Sequence, residues 1–381
     1  MTTATRRSEY SGATTPFLYL AFELGIDEWR LGCATEPSAT PRTRVIPARD
    51  LERLVKEIAH AKKGLGLPPQ TPVRSCYEAG RDGFWLHRYL TSIGVENVVV
   101  DSSSIEVKRR QRRAKSDSLD VRKLLSMLLR YHAGEPRVWS VVRVPTVEAE
   151  DRRQLHRELR GWKKEHTRVT NRVKGLLASQ GIRLPKGTDI RAALATIRLW
   201  DGSPVPAALR ARLERECEHA HFLRTRSREL ERERQRRLTH AQDQAVAKVR
   251  QLVRLRAIGA AGAWVAVNEF FGWRTFRNGK EVGAAAGLTP TPYQSGDDHR
   301  EQGISKAGSR HLRGVAIEIA WAWLRYQPRS HLSRWYHARF ARGGVRARKV
   351  GIVALARKLL IALWRFLEFG VVPDGAKFKT A

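Results

Sequence analysis

The hydrophobic pattern separates an N-terminal part built of short strands from a helical remainder. Brief apolar runs bounded by Gly, Pro or charged residues predict strands, and runs with apolar residues three and four apart predict helices. The predicted elements of the first part are, in order, strands at 17–24, 29–35 and 43–47, a helix at 50–63, a strand at 73–78, a helix at 84–93, a strand at 98–101 and a helix that opens within 114–121. Three strands followed by alternating helices and strands are typical of an RNase H-like α/β fold.

Beyond about residue 144 the pattern becomes that of long helices. Apolar residues recur at alternating spacings of four and three from Leu155 to Leu176, which is the seam of a coiled coil. A Gly- and Pro-rich stretch over 181–206 interrupts this pattern, and a second long helix is predicted from Ala207 to about Leu255. The simplest structure is an antiparallel helical (coiled-coil) hairpin.

The last part is predicted to be mainly helical around one long polar loop. Helices are predicted at 312–325 and 349–369, with Trp321 and Trp323 in the core, and a Gly-rich loop is predicted over 284–313. The predicted organisation is a disordered tail at 1–16, an α/β domain at 17–145, a helical hairpin at 146–254 and a mainly helical domain at 255–381. The fold class is therefore α/β plus all-α.

The charge balance indicates a polyanionic partner. The 381 residues carry 71 Lys and Arg against 38 Asp and Glu, a formal net charge of +33. Such a chain gains affinity for phosphate backbones by releasing their counterions. We expect no membrane span, because charged residues interrupt the most apolar segment, 350–372. The three distant cysteines fit a reducing cytosol rather than a disulfide framework or a zinc site.

Four carboxylates are the first candidate for chemistry. Glu23 and Glu78 end the first and fourth predicted strands, and Asp117 and Asp120 share one face of a predicted helix. In an RNase H-like sheet these strand ends lie side by side, so all four acids could converge. Clustered carboxylates in a basic protein suit hard cations such as Mg²⁺, which prefer oxygen ligands. The alternative is solvated acids at strand ends and in a first helical turn.

A serine in the long polar loop is the second candidate. Ser295 lies between Gln294 and Gly296, and four cationic residues follow it closely in sequence. These are Arg300, Lys306, Arg310 and Arg313. A serine hydroxyl can attack a phosphodiester while cations neutralise the developing charge. A Ser-Gly pair in an ordinary turn looks the same.

Taken together, these motifs resemble those of a known family. The first part resembles the DEDD, RuvC-like nuclease domain of the insertion-sequence one-ten transposases, which are bridge-RNA-guided DNA recombinases. The last part looks like that family's C-terminal transposase domain. The matching segments are the strand ending at Glu23, then 77–80, 115–120, 286–290, 294–296 and 303–313. Each motif alone is common, and their order along the chain carries the resemblance.

The resemblance implies a role for each acid. Glu78, Asp117 and Asp120 would be the second, third and fourth members of a metal-binding tetrad. Glu23 stands where the family's pattern has an Asp at a strand end. Asp27, in a Gly-Ile-Asp triplet four residues later, is the alternative first acid.

The resemblance also assigns the nucleophile. Ser295 would form a transient phosphoserine with cut DNA, and Ser305 and Ser309 are the alternatives. This serine and the metal-bound acids would form a composite centre contributed by different subunits. A basic run upstream of the helix acids would contact phosphates near the metal. It consists of Arg109, Arg110, Arg112, Arg113 and Lys115.

The implied partners are nucleic acids. The family resemblance implies Mg²⁺ and a bridge RNA as cofactors, donor and target DNA as substrates, and a homodimer or homotetramer in the bacterial cytoplasm, associated with the nucleoid. No membrane is implied. Two other functions remain open at this point. A RuvC-like structure-specific endonuclease would need the acids without the serine, and a non-catalytic RNA- or DNA-binding scaffold would need only the charge.

Overall fold

A computed structural model describes residues 16–36, 41–106, 117–185, 187–295, 298–306 and 308–380. For 103, 117–119, 292–295 and 298–302 only the backbone is described. The predicted tail, apart from Pro16, and the whole basic run from Arg109 to Lys115 lie outside the described residues. The chain divides into two compact units, Met1–Val144 and Pro145–Ala381.

The described strands of the first unit form one sheet with a helical layer on each face. Its elements are β1 (Leu18–Leu24), β2 (Glu28–Ala34), β3 (Arg42–Pro47), α1 (Leu51–Gly64), β4 (Val73–Glu78), α2 (Trp85–Ser92), β5 (Glu96–Val100) and α3 (Asp117–His132), with a short 3₁₀ turn at Ser102–Ser104. The strand order is β3-β2-β1-β4-β5. Strands β1, β2 and β3 pair antiparallel, whereas β4 pairs parallel with both β1 and β5.

Alternation along β1 distributes its side chains between the two layers. Leu18, Leu20 and Phe22 pack with α1 and α2, whereas Ala21 packs with α3. Helix α3 lies close to the sheet because β2 has a glycine beneath it. A Cβ at Gly32 would stand 3.3 Å from the nearest methyl carbon of Val121.

The described part of the second unit is helical except for one hairpin. Its elements are α4 (Val147–Asp151), α5 (Gln154–Ala178), α6 (Ile190–Ala193), α7 (Ala207–His240), α8 (Gln244–Val253), α9 (Ala260–Ala266), a π-helical turn (Val267–Phe271), α10 (Gly279–Ala285), β6 (Pro290–Ser295), β7 (Asp298–Ile304), α11 (Arg310–Tyr326), α12 (His331–Phe340) and α13 (Val345–Phe369). Apolar residues of α8, α9, α11 and α13 form its main core. No helix among the described residues is both long and apolar enough to cross a bilayer.

Helices α5 and α7 pack along each other. The Trp162 and Phe222 rings lie 5.6 Å apart, and Arg172 forms a bidentate ion pair with Glu216 at 2.7 Å. The contact of Lys163 with Glu231 places earlier residues of α5 beside later residues of α7, so the two helices run antiparallel. Polar pairs at their edges therefore supplement an apolar seam.

The predicted single helix from Ala207 to about Leu255 is wrong, because the chain breaks at Ala241–Asp243. Ala241 has an extended backbone, and the Asp243 side chain caps α8 by accepting a hydrogen bond from the Ala245 amide at 2.7 Å. The Arg250 guanidinium closes the end of α7 by donating to the carbonyls of Leu238, Thr239 and Ala241. These caps satisfy the backbone groups that a continuous helix would have used.

The predicted loop over 284–313 is also only partly right. Its middle forms the antiparallel hairpin β6–β7, in which Tyr293 is opposite Arg300 and Ser295 is opposite Asp298. The strands are rich in polar residues and Pro, so they lack the apolar alternation that indicates a strand. The expectation that both tryptophans are core is right for Trp323, which is fully buried, and wrong for Trp321, which is 49% exposed. Positions two apart on a helix point to different faces.

A buried carboxylate lies in the core of the second unit. Glu269 is in the π-helical turn, and its side chain is only 1% exposed. His156 lies 2.8 Å from its Oε1, Arg157 donates to both carboxylate oxygens at 2.8 and 3.0 Å, and the Ser309 hydroxyl donates to Oε2 at 3.0 Å. These four residues are called the Glu269 cluster below. Burial alone raises the pKa of Glu269, but the hydrogen bonds from His156 and Arg157 outweigh it and hold the pKa far below its usual value.

We predict that Glu269→Gln lowers the free energy of unfolding at pH 7 by about 3 kcal/mol, because it takes from Arg157 and the buried His156 the carboxylate that they contact. The lowered pKa stabilises the fold above the ordinary glutamate value, and this stability is lost as the pH falls below that value of 4.5 toward the folded-state pKa. Acid unfolding of the variant should therefore be less steep. Denaturant titrations from pH 7 to pH 3 measure both effects.

The matched control is Glu216→Gln, which removes the bidentate pair near the surface of the α5–α7 pair. Its cost should be at most about 1 kcal/mol. Equal losses in the free energy of unfolding would show that the Glu269 cluster stabilises the fold no more than a surface ion pair does.

Candidate active site

Two strand-end carboxylates lie side by side at one edge of the sheet. In the parallel pairing of β1 with β4, Phe22 is opposite Tyr77, so the next residues, Glu23 and Glu78, are neighbours across the strands. Phe22 and Tyr77 point toward α1 and α2. Because side chains alternate along a strand, Glu23 and Glu78 face the α3 side.

Helix α3 brings a third carboxylate to the same place. Asp120 lies in its first turn, next to Val121, which packs over Gly32. Glu23, Glu78 and Asp120 line one cavity of about 450 Å³. Its other lining residues are Phe22, Leu24, Gly80, Arg81, Asp82, Ser102, Ile105, Lys123 and Leu124. Asp117 is the first residue of α3, and its side chain is outside the described part.

The alternative first acid is in a different position. Asp27 lies in the exposed turn between β1 and β2, and it is not among the residues that line the cavity. Its backbone carbonyl accepts a hydrogen bond from the Ala48 amide at 2.8 Å. The placement of Glu23 beside Glu78 therefore favours Glu23.

Cationic side chains balance part of the negative charge in this cavity. Arg81 and Lys123 line it with the acids. Arg81 pairs with Asp82 at 3.1 Å, and Arg49 approaches the same carboxylate at 3.6 Å, which explains how Asp82 can be 8% exposed. Glu78, by contrast, is exposed to solvent. The sequence reasoning did not identify Arg81, Asp82 or Lys123, although the charged pair between Gly80 and Gly83 was a visible signal.

The donor set suits a hard cation, although the described side chains do not form a finished metal site. Carboxylate oxygens are the ligands that Mg²⁺ prefers. Among the described residues, no group of three or more His, Cys, Asp or Glu side chains is arranged to hold a metal ion. A cation would have to draw Glu23, Glu78 and Asp120 together, with Asp117 as the remaining candidate ligand.

The predicted nucleophile lies at the end of β6. Ser295 pairs with Asp298 across the hairpin, beside its turn. Both alternative serines are held by other groups. The Thr289 hydroxyl lies 3.4 Å from the Ser305 hydroxyl, and the Ser309 hydroxyl caps α11 through the Leu312 amide while donating to Glu269. The contacts of Ser309 give it a structural role, whereas the separation at Ser305 is long for a hydrogen bond between hydroxyls.

The cationic residues predicted around the serine follow it along the chain. Lys306 and Arg310 are exposed, and Arg313 is half-buried with one guanidinium nitrogen donating to the Gly308 carbonyl at 3.1 Å. Arg300 is opposite Tyr293 in β7. Exposed cations beside a hairpin can contact phosphates, which need no particular base sequence.

Comparisons with known proteins agree with one another. Residues 249–334 match the family model described as "Transposase IS116/IS110/IS902 family". The chain is 39% identical to "Putative transposase y4rJ" of Sinorhizobium fredii over 376 residues, 95% of each chain. It is 28% identical over 222 residues to the transposase for insertion sequence element IS1328 of Yersinia enterocolitica, covering 57% of this chain and 63% of that relative.

We predict that Mg²⁺ or Mn²⁺ at millimolar concentration raises the melting temperature of the wild-type protein by about 2–4 °C, because an ion that binds only the folded state stabilises it. Glu23→Gln and Asp120→Asn should each abolish this rise, which differential scanning calorimetry measures. Asp27→Asn is the matched control and should keep it. If Asp27→Asn abolished the metal-induced rise in melting temperature and Glu23→Gln kept it, Asp27 rather than Glu23 would be the metal ligand.

Proposed function

This chain belongs to the IS116/IS110/IS902 family of insertion-sequence transposases, and we propose that it cuts and rejoins DNA with a divalent metal and a serine nucleophile. The observation that carries the proposal is the shared cavity of Glu23, Glu78 and Asp120. Residues 42 to 97 positions apart in sequence bring three carboxylates to one sheet edge. A folding requirement alone gives no reason for this convergence, since like charges repel.

Glu23, Glu78, Asp117 and Asp120 would hold the metal in this proposal. A bound Mg²⁺ would supply stabilisation of the negative charge that develops on phosphate oxygens during strand cleavage. Arg81 and Lys123 would add fixed positive charge at the cavity wall. The acids themselves would bind and orient the ion.

Ser295 would supply the nucleophile. Its Oγ forms a bond to the scissile phosphorus as the bond from phosphorus to the departing strand's oxygen breaks. The Oγ proton is lost, and the departing oxygen gains a proton. The phosphoserine keeps the energy of the phosphodiester, so a strand hydroxyl can later attack it and release the serine. Strand exchange therefore needs no added nucleotide cofactor.

The finer architecture is part of the same proposal. The strand order β3-β2-β1-β4-β5, with β1, β4 and β5 parallel, supports an RNase H/RuvC-like first unit. The antiparallel packing of α5 and α7 supports a coiled-coil hairpin, which would join copies of the chain in a homodimer or homotetramer. The net charge of +33 supports simultaneous binding of DNA and a bridge RNA, whose base pairing would select the donor and target sites.

We predict that the wild-type protein, given Mg²⁺, labelled donor and target DNA and the RNA transcribed from the element ends, forms a covalent adduct on a denaturing gel. Ser295→Ala and Asp120→Ala should both abolish this adduct, because one lacks the nucleophile and the other a metal ligand. Ser305→Ala is the matched serine control and should retain it. Filter binding should show that all variants still bind DNA.

The two alternative functions predict different results in this gel assay. Metal-dependent cutting without an adduct, unaffected by Ser295→Ala, would identify a RuvC-like endonuclease. Binding without any cutting, unchanged in Asp120→Ala, would identify a nucleic-acid scaffold. Omitting the RNA tests the guide separately, and a wild-type yield without RNA would exclude it.

A further inference from the structure

The segment that follows the serine hairpin is held to the core at several successive residues. The Ser305 amide donates to the Thr289 carbonyl at 2.9 Å, and the Lys306 amide donates to the Gly287 carbonyl at 3.2 Å. These two bonds close the base of the β6–β7 hairpin. Its position relative to the core therefore depends on what holds residues 305, 306, 308 and 309.

The backbone there leaves little freedom. Lys306 and Gly308 both have positive φ, at 58° and 70°. A Cβ at Gly308 would collide with the carbonyl oxygen of Ala285. A non-glycine residue in the left-handed region costs free energy, so other contacts must impose the conformation of Lys306.

Ser309 joins this segment to the buried carboxylate. Its hydroxyl donates to Glu269 Oε2 at 3.0 Å and accepts from the Leu312 amide at 3.3 Å, so one side chain both starts α11 and contacts the Glu269 cluster. His156 and Arg157, from α5, hold the carboxylate from the other side. The cluster thus joins two other stretches of the second unit to the turn that carries Glu269.

The buried carboxylate of Glu269 is better explained by a role in positioning the neighbouring segments than by packing alone. An apolar residue would fill the same space without the cost of burying a charge. The carboxylate instead lies in a π-helical turn, closed by the Gly272 amide donating to the Val267 carbonyl at 2.7 Å, and such turns are frequent at functional sites. A directional hydrogen-bond cluster determines position and orientation, which apolar contacts do less strictly.

We propose that Glu269 is the positioning residue of the serine hairpin and acts through Ser309 to set where β6 and β7 leave the core. The proposal rests on the proposed role of Ser295 as nucleophile. A serine that must reach a scissile phosphate needs a precise location, and a displacement of about 1 Å can slow a reaction about a hundredfold. Glu269 itself contacts neither DNA nor the reacting atoms in this proposal.

The test compares two losses of a helix cap. Ser309→Ala removes the cap of α11 together with the bond to Glu269, whereas Thr146→Ala removes only the cap of α4, where Thr146 accepts from the Ala149 amide at 3.2 Å. We expect Ser309→Ala to slow single-turnover adduct formation at least about tenfold with DNA binding unchanged. Thr146→Ala should keep the wild-type rate, and Ser309→Thr should restore it.

Hydrogen exchange provides a second readout that needs no chemistry. Exchange at the Ser305 and Lys306 amides should accelerate in Ser309→Ala and remain at the wild-type rate in Thr146→Ala. A purely structural role would lower the melting temperature in both variants and leave these two amides as protected as in the wild type. Unchanged exchange, or faster exchange with an unchanged adduct rate, would overturn the positioning role.

The two proposals fail in different ways. If the wild-type protein forms no adduct, or Ser295→Ala still forms one, the proposed serine chemistry is wrong, and the exchange rates alone decide whether Ser309 anchors the hairpin. If adduct formation requires Ser295 and proceeds at the wild-type rate in Ser309→Ala, the serine chemistry stands and the positioning role is wrong.

Discussion

The parallel pairing of β1 with β4 is the constraint on which the candidate active site depends. Its register places Glu23 beside Glu78, and alternation turns both toward α3. A shift of one residue would send one of these acids to the opposite face. Gly32 is the complementary requirement, since it lets Val121, and with it Asp120, approach the sheet. The cavity is thus a consequence of backbone pairing and one close helix contact.

In the second unit, a polar hairpin is attached to a helical core. The β6–β7 strands carry few apolar side chains, so burial gives them little stability of their own. Hydrogen bonds at the base of the hairpin and the Ser309–Glu269 contact provide the attachment instead. The same carboxylate, held by His156 and Arg157, explains why a charged group is retained in an otherwise apolar core.

The excess of positive charge indicates a polyanionic partner. The net charge of +33 fits a protein that holds nucleic acid through phosphate contacts. Asp82 and Glu269 are each neutralised by arginines in the structure. Glu23, Glu78 and Asp120, which come from β1, β4 and α3, line one cavity.

The sequence alone predicted the strand and helix order of the first unit, including a helix that opens within 114–121, because burial imposes a period of two on strands and of 3.6 on helices. It also indicated the candidate acids at the strand ends and in the first turn of that helix. It could not predict the break at Ala241–Asp243, because the apolar pattern continues on both sides of the break. Asp243 caps the start of α8, and Arg250 binds the last carbonyls of α7. Nor could it predict the β6–β7 hairpin, whose polar strands lack the period. Only the tertiary structure decided that Glu23 rather than Asp27 lies beside Glu78, that Trp321 is exposed while Trp323 is buried, and that Glu269 meets His156, Arg157 and Ser309. Each of these depends on contacts between residues far apart in the chain. A local sequence pattern contains no information about such contacts.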